Sequence, residues 1–266
     1  SKDHFGSKEF CSACGARRNS IGFFNKYYKE SIFKSLAVLR YGKKYFNILK
    51  NNKLDLFVLT DFHKKFLVDL GIDKKKVTVF PNYLDTNLAV EELRNSKGDY
   101  LIYAGRISEE KGVEELIKAF LKTDVKNLKL KIVGTGPSLS SLKKVYKNKK
   151  IEFIGQISNN EVLDLISKSR AVVTATKLFE GQPTLLCESS SLGVPSIFPE
   201  VGGIKEFYPK DYKLSFKQFD YEDLTNKIKL LENTSELKLI GKENQEFINN
   251  YLNKDRLKNI FKIVHD

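Results

Sequence analysis

From residue 54 onward, short and almost unbroken apolar runs alternate with amphipathic stretches, and that alternation leaves few architectures open to the chain. The runs at 54–60, 77–82, 99–106, 128–134, 151–155, 170–176 and 195–199 read as strands. Near-continuous apolar character, without period-two alternation, marks strands buried on both faces. Between them, 61–72, 113–121, 137–147, 160–169 and 183–192 have the pattern of helices. Phe62, Phe66, Leu67 and Leu70, for example, stand at helical spacing ahead of Gly71, which stops the helix. Strand followed by helix, repeated, predicts an α/β chain: a Rossmann-like parallel sheet with helices on both faces. From about residue 220 the pattern gives two or three amphipathic helices as a helical C-terminal tail. Hydrophobic residues make up 41% of the chain, enough for a packed core. No apolar run approaches the ~20 residues that span a bilayer.

In an open parallel sheet, ligands bind beyond the carboxyl ends of the strands. The distinctive segments of this chain all fall there. Y-A-G-R-I-S-E-E-K-G, at 103–112, leaves a strand with Gly105, presents Arg106 and enters a helix near Lys111. A planar guanidinium fork and a lysine point charge beside a permissive glycine suit a diphosphate, although the same string alone reads equally as a charged turn. V-G-T-G-P, at 133–137, offers Gly134 and Gly136 for a tight turn. F-I-G-Q-I, at 153–157, ends a further strand. The longest segment, F-E-G-Q-P-T-L-L-C-E-S-S-S-L-G-V-P-S-I-F-P at 179–199, holds Glu180 and Glu188 with seven residues between them. Pro183 suits the first position of a helix, because its missing N–H has no helical partner there. Glu180 then lies in the loop leaving a strand and Glu188 inside the next helix, whose opening N–H groups at Thr184 and Leu185 attract anions. An acid, an anion-binding helix start and a second acid suggest a ligand with both hydroxyls and phosphates, such as a sugar nucleotide. Two solvated glutamates flanking a buried helix remain the plain alternative for this segment taken alone.

E-x7-E followed by a small-residue helix and G-V-P, with the three upstream segments in order, resembles family 4 of the glycosyltransferases, the large retaining GT-B family also called glycosyl transferases group 1. The resemblance covers about 54–250 well and 10–53 loosely. It implies the C-terminal, donor-binding half of a GT-B fold at 83–219, with C-terminal helices at 220–266. Residues 1–82 would be the remnant of an N-terminal, acceptor-side domain and its linker. By the same resemblance Arg106 and Lys111 hold the donor diphosphate, Glu180 meets sugar hydroxyls and Glu188 meets the ribose. Gly181, Gln182, Pro183, Thr184 and Leu185 line sugar and phosphates, largely through backbone, Gln156 and Ile157 contact the nucleobase, and the turns at Gly105, Gly134 and Gly136 belong to the same donor-binding set. Gln182 stands where many relatives carry Phe or Ser. The family supplies no nucleophilic carboxylate, so retention is explained by same-face attack, with the departing phosphate taking the acceptor proton. It needs no metal and no cofactor beyond the nucleotide-sugar donor, expected to be a UDP-sugar. The acceptor is expected to be a glycan or lipid-linked precursor of a cell-surface polysaccharide such as a capsule. The upstream strand–helix units are not found, nor is the histidine that relatives place before the cysteine-bearing segment. This chain by itself is therefore expected to transfer little sugar.

Charge and cysteines bear on partners and location. Residues 1–60 hold 12 Lys and Arg against 4 Asp and Glu, a net of +8 within a total of +13. The same segment carries Phe23, Phe24, Tyr27, Tyr28, Phe33, Tyr41, Tyr45 and Phe46. Basic residues among aromatics fit an anionic membrane surface, or simply a solvated helix, better than nucleic acid. Cys11, Cys14 and Cys187 make no disulfide framework, which points to a reducing cytoplasm. Cys11 and Cys14 could supply half of a structural zinc site, with His4 the only other local ligand. Two rivals stay open. An epimerase-like GT-B enzyme would lack E-x7-E. A zinc- and nucleic-acid-binding module would leave the C-terminal segments unexplained.

Overall fold

A computed structural model describes residues 31–51, 54–84 and 98–258, without the side chains at 35, 38, 39 and 43. His4, Cys11, Cys14, Phe23, Phe24, Tyr27 and Tyr28, on which the zinc reading and part of the membrane reading rest, lie outside the described residues. The chain falls into two compact units, Ser1–Pro81 and Asn82–Asp266.

The first unit contains helix α1 (Ile32–Asn51), strand β1 (Leu56–Val58), helix α2 (Asp61–Asp69) and strand β2 (Val77–Val79). β1 and β2 run parallel, with Leu56 opposite Val77. The apolar run at 54–60 yields only three strand residues because Thr60 turns the chain into α2. Its hydroxyl accepts from the His63 N–H at 3.1 Å and caps the helix. His63 is half-buried, tilted against the Phe62 ring.

The second unit is built on β3 (Tyr100–Ala104), β4 (Lys129–Val133), β5 (Ile151–Gly155), β6 (Ala171–Val173), β7 (Ser196–Pro199) and β8 (Ser215–Phe216). Helices α3 (Val113–Leu121), α4 (Leu139–Val145), α5 (Asn159–Ser167) and α6 (Thr184–Ser191) connect consecutive strands. Helices α7 (Tyr221–Lys229) and α8 (Thr234–Tyr251) follow β8. Every strand pairing is parallel, in the order β5-β4-β3-β6-β7-β8. The strands are apolar throughout because helices cover both faces: Leu101, Ile102, Leu130, Ile132, Val172 and Ile197 are buried. This is the Rossmann-like sheet the alternation demands, and it has the architecture of one half of a GT-B fold. Helix starts are set locally. Ser158 and Glu161 form a capping box on α5, while Asp220 and Asn233 cap α7 and α8.

The strand order places the site. From β3 the chain moves outward through β4 to β5, then returns to lay β6 on the other flank of β3. The loops after β3 and β6 therefore leave the sheet in opposite directions and open a crevice between them, the usual ligand position in such sheets. Three local expectations shift. The run at 170–176 is strand only at Ala171–Val173, and its last residues enter the crevice. The helix expected at 137–147 spans Leu139–Val145. Pro183 is not the first helical residue of α6 but its N-cap, with φ −83° and ψ 84°. Its ring fixes φ near the helical value, while its ψ stays outside the helical range.

Candidate functional site

The loop after β3 begins at Gly105, where the chain turns outward at φ +152°. Tyr103, the penultimate residue of β3's YLIYA, is buried, and its hydroxyl donates to the Arg106 carbonyl at 2.7 Å. This pins the Gly105–Arg106 turn from below and leaves the Arg106 side chain exposed at the crevice. Burial, with the Glu180 charge second, pushes the Tyr103 hydroxyl well above its ordinary pKa, so it remains a donor. The β4 loop supports the same turn. Ile107 N–H donates to the Thr135 carbonyl at 2.9 Å, and Ser138 N–H donates to the Ile107 carbonyl at 3.1 Å. A Cβ built on Gly134 would lie 2.0 Å from the Gly105 carbonyl oxygen, and one on Gly136 would lie 2.2 Å from that of Ile107. These two glycines let one loop lie directly on the other. They support the site and do not themselves line its cavity.

The loop after β6 brings in the first acid. Lys111 Nζ lies 2.5 Å from Glu180 Oε1, with both side chains less than one third exposed. Thr176 Oγ1 donates to the same oxygen at 3.1 Å. The Glu180 backbone is held as firmly as its side chain. Gly203 N–H donates to the Glu180 carbonyl at 2.8 Å, and a Cβ on Gly202 would stand 2.2 Å from that oxygen. The glycine pair after β7 is thus a cradle for Glu180.

Beyond Glu180 the chain enters α6. The first capping bond runs from Cys187 N–H to the Pro183 carbonyl at 3.0 Å, so Thr184, Leu185 and Leu186 offer N–H groups without helical partners. Gln182 meets the backbone of Asn82 with both ends of its amide. Its Nε2 donates to the Asn82 carbonyl at 2.9 Å, and its Oε1 accepts from the Asn82 N–H at 2.8 Å.

Between these loops lies a cavity of about 350 Å³. Gly105, Arg106, Lys111, Glu180, Gln182, Pro183, Thr184 and Leu185 line it together. Tyr103, Thr174, Thr176 and Ile204 also line it, and the sequence reading singled out none of them. Only the parallel register of β3 and β6 reveals that Tyr103, next to last in β3, and Thr174, just past β6, lie at neighbouring strand ends. The remaining candidates stand outside the lining. Gly181 lies between two residues that do line it. Gln156 is exposed and Ile157 half-buried, both just past β5, two strands from β3. Glu188 sits one turn inside α6. Its carboxylate has no hydrogen bond or ion pair among the described residues, and burial raises its pKa. Cys187 beside it is buried, and its thiol is pushed far above its ordinary pKa. No group of three His, Cys, Asp or Glu suited to a metal occurs among the described residues.

The arrangement can hold a polyanion between two cations and a helix start, with a carboxylate and hydroxyls alongside for hydroxylated groups. The family described as Glycosyl transferases group 1 matches residues 85–253. A protein named for teichuronic acid biosynthesis, the glycosyltransferase TuaC of Bacillus subtilis (strain 168), is 33% identical over 132 residues, which is 48% of this chain and 32% of that one. The chain thus spans about a third of that relative's length. Among solved structures, Anabaena HepE in complex with UDP and glucose superposes with a TM-score of 0.72 at 16% identity, covering 84% of this chain and 66% of HepE. Sucrose-phosphate synthase from Thermosynechococcus elongatus superposes with a TM-score of 0.72 at 20% identity, covering 88% of this chain and 62% of the synthase.

Proposed function

The chain belongs to the group 1 glycosyl transferases, and on that premise we propose that Asn82–Asp266 is the donor-binding unit of a retaining, metal-independent hexosyltransferase. The observation that carries this reading is the cavity at the β3/β6 switch point, flanked by Arg106, Lys111 and the start of α6. The donor is a nucleoside diphosphate sugar, and UDP is the favoured nucleotide because HepE is complexed with it. Arg106, Lys111 and the N–H groups of Thr184 and Leu185 take the diphosphate. Their charge stabilises the phosphate as it leaves, which is where preorganised donors lower a barrier most. Glu180 accepts from hydroxyls of the sugar and Glu188 from the ribose. The loops carrying Gly134, Gly136, Gln156 and Ile157 border the nucleobase side. Retention follows from same-face attack, the leaving phosphate taking the acceptor proton.

The acceptor is a glycan or lipid-linked precursor in cell-surface polysaccharide synthesis, a reading supported by the name TuaC carries. Anionic membrane fits as the place of work, on the cytoplasmic side. Helix α1 contains Lys34, Arg40, Lys43, Lys44 and Lys50 and no acid, and Phe33, Leu36, Tyr41, Tyr45 and Ile48 are exposed along it. Among the described residues no helix is long and apolar enough to cross a membrane, so attachment would be peripheral. Each cation near anionic lipid contributes ~1 kcal/mol. The donor reading is tested by calorimetric titration of UDP and GDP in EDTA. Binding of at least one is expected, and binding of neither by the folded protein contradicts it.

A further inference from the structure

The two groups assigned to different parts of the donor are bonded to each other. Lys111, meant for the phosphates, is neutralised by Glu180, meant for the sugar, across 69 residues of sequence. The contact is not an accident of two mobile side chains. Thr176 holds the same carboxylate oxygen, the Gly202–Gly203 turn clamps the Glu180 backbone, and both charged groups are mostly shielded from solvent. Lys111 is fixed at its base too. Its N–H donates to the Ser108 carbonyl at 3.1 Å, and the Glu110 carbonyl beside it accepts from Lys177 N–H at 2.9 Å.

We infer that the Lys111–Glu180 pair is a counter-ion switch that favours the intact sugar nucleotide over the spent nucleoside diphosphate. This rests on the donor-site reading above. An incoming phosphate must take Lys111 from Glu180. With a sugar attached, the freed carboxylate finds hydroxyl donors and loses little. With the diphosphate alone it has only Thr176, so part of the phosphate's attraction to Lys111 is spent on stranding a half-shielded carboxylate. After transfer, Glu180 loses its sugar and reclaims Lys111, which loosens the product. Thr176 is then a positioning residue. It keeps Glu180 facing the sugar while the lysine is away.

The test measures binding of UDP, pyrophosphate and a UDP-sugar by calorimetry to wild type, Glu180→Gln and Thr176→Val. Glu180→Gln keeps the side chain's size and hydrogen-bonding capacity and removes its charge. It is expected to bind UDP and pyrophosphate about two- to fivefold more tightly than wild type, the range set by a partly shielded pair. It is expected to bind the UDP-sugar no more tightly, so the preference for the sugar form collapses. Thr176→Val keeps the charge pair but leaves Glu180 without a partner once UDP alone takes Lys111, so it is expected to weaken UDP and pyrophosphate at least as much as the UDP-sugar, and a loss confined to the UDP-sugar would overturn the switch. If wild type binds UDP and Glu180→Gln binds it equally or more weakly, the switch is wrong and the donor site stands. If neither UDP nor pyrophosphate binds wild type or Glu180→Gln, the donor site fails and the switch with it.

Discussion

Gly134 and Gly155 make a matched pair for separating backbone strain from loop-on-loop packing. Both adopt positive φ, +122° and +92°. Alanine at either position would incur the backbone cost of an L-residue in that region, about 1–2 kcal/mol. The surroundings differ. A Cβ at Gly155 meets nothing within 4 Å, whereas one at Gly134 would lie 2.0 Å from the Gly105 carbonyl oxygen and 3.0 Å from its carbonyl carbon. Both are backbone atoms of the turn that presents Arg106, so no side chain can rotate away. Forcing that overlap adds about 1–3 kcal/mol by analogy with overpacked cores. At roughly 2–4 °C per kcal/mol for a chain of this size, Gly155→Ala should lower Tm by about 2–8 °C. Gly134→Ala should lower it by about 4–20 °C. The stronger discriminator is binding. Gly134→Ala displaces the β3 turn and should weaken UDP at least tenfold, an effect worth about 1.4 kcal/mol. The Gly155 carbonyl accepts from the Gly134 N–H at 2.7 Å, but a Cβ at Gly155 meets nothing within 4 Å, so Gly155→Ala should disturb the Arg106 turn less. Calorimetry of each variant at a temperature where both are folded gives the comparison. Equal losses of Tm and of affinity in the two variants would refute the claim that Gly134 serves the Arg106 turn.

Three further outcomes are expected. Arg106→Ala should weaken UDP about ten- to a hundredfold by calorimetry, the worth of one charge-assisted contact, with Tm unchanged because the exposed side chain has no ion pair among the described residues. Glu188→Gln should be more stable than wild type at neutral pH, followed by Tm against pH. Burial raises the Glu188 pKa above its ordinary 4.5, so wild type loses stability as pH rises from that value through the folded pKa, and the gap between the two proteins should close at or below pH 4.5. In flotation with liposomes, full-length enzyme should bind anionic vesicles better than neutral ones, and replacing Lys34, Arg40, Lys44 and Lys50 with Gln should abolish the difference. Equal flotation of both proteins on both vesicles would mean that α1 is only a solvated face.

Much of this site could be read from sequence, because its residues lie in loops that directly follow strands. Tyr100–Ala104 and Ala171–Val173 announce themselves as buried strands, so Arg106 and Glu180 fall at strand ends by counting alone. That β3 and β6 are neighbours depends on the order of the sheet, which short apolar runs do not encode. The Lys111–Glu180 pair and the Gln182–Asn82 pairing, 100 residues apart, were illegible for that reason. Thr176 looked like the end of a strand and proved to be a hydroxyl beside Glu180. Gly134 and Gly136 read in sequence as a tight turn that allows close backbone approach. What approaches them is another loop of the same protein. β8 was missed because two residues, Ser215 and Phe216, carry no periodicity, and parallel pairing with β7 alone makes them a strand. Glu188 shows the limit in the other direction. Its spacing from Glu180 is legible, yet it stands outside the cavity lining, half-buried and without a partner among the described residues.

The central claim is that the crevice between β3 and β6 is a diphosphate site. A crystal structure of the protein with UDP tests it most directly. The account predicts phosphate oxygens within hydrogen-bond distance of the Arg106 guanidinium, Lys111 Nζ and the N–H groups of Thr184 and Leu185. UDP bound elsewhere on the chain, with the Lys111–Glu180 pair intact and the crevice empty, would contradict it.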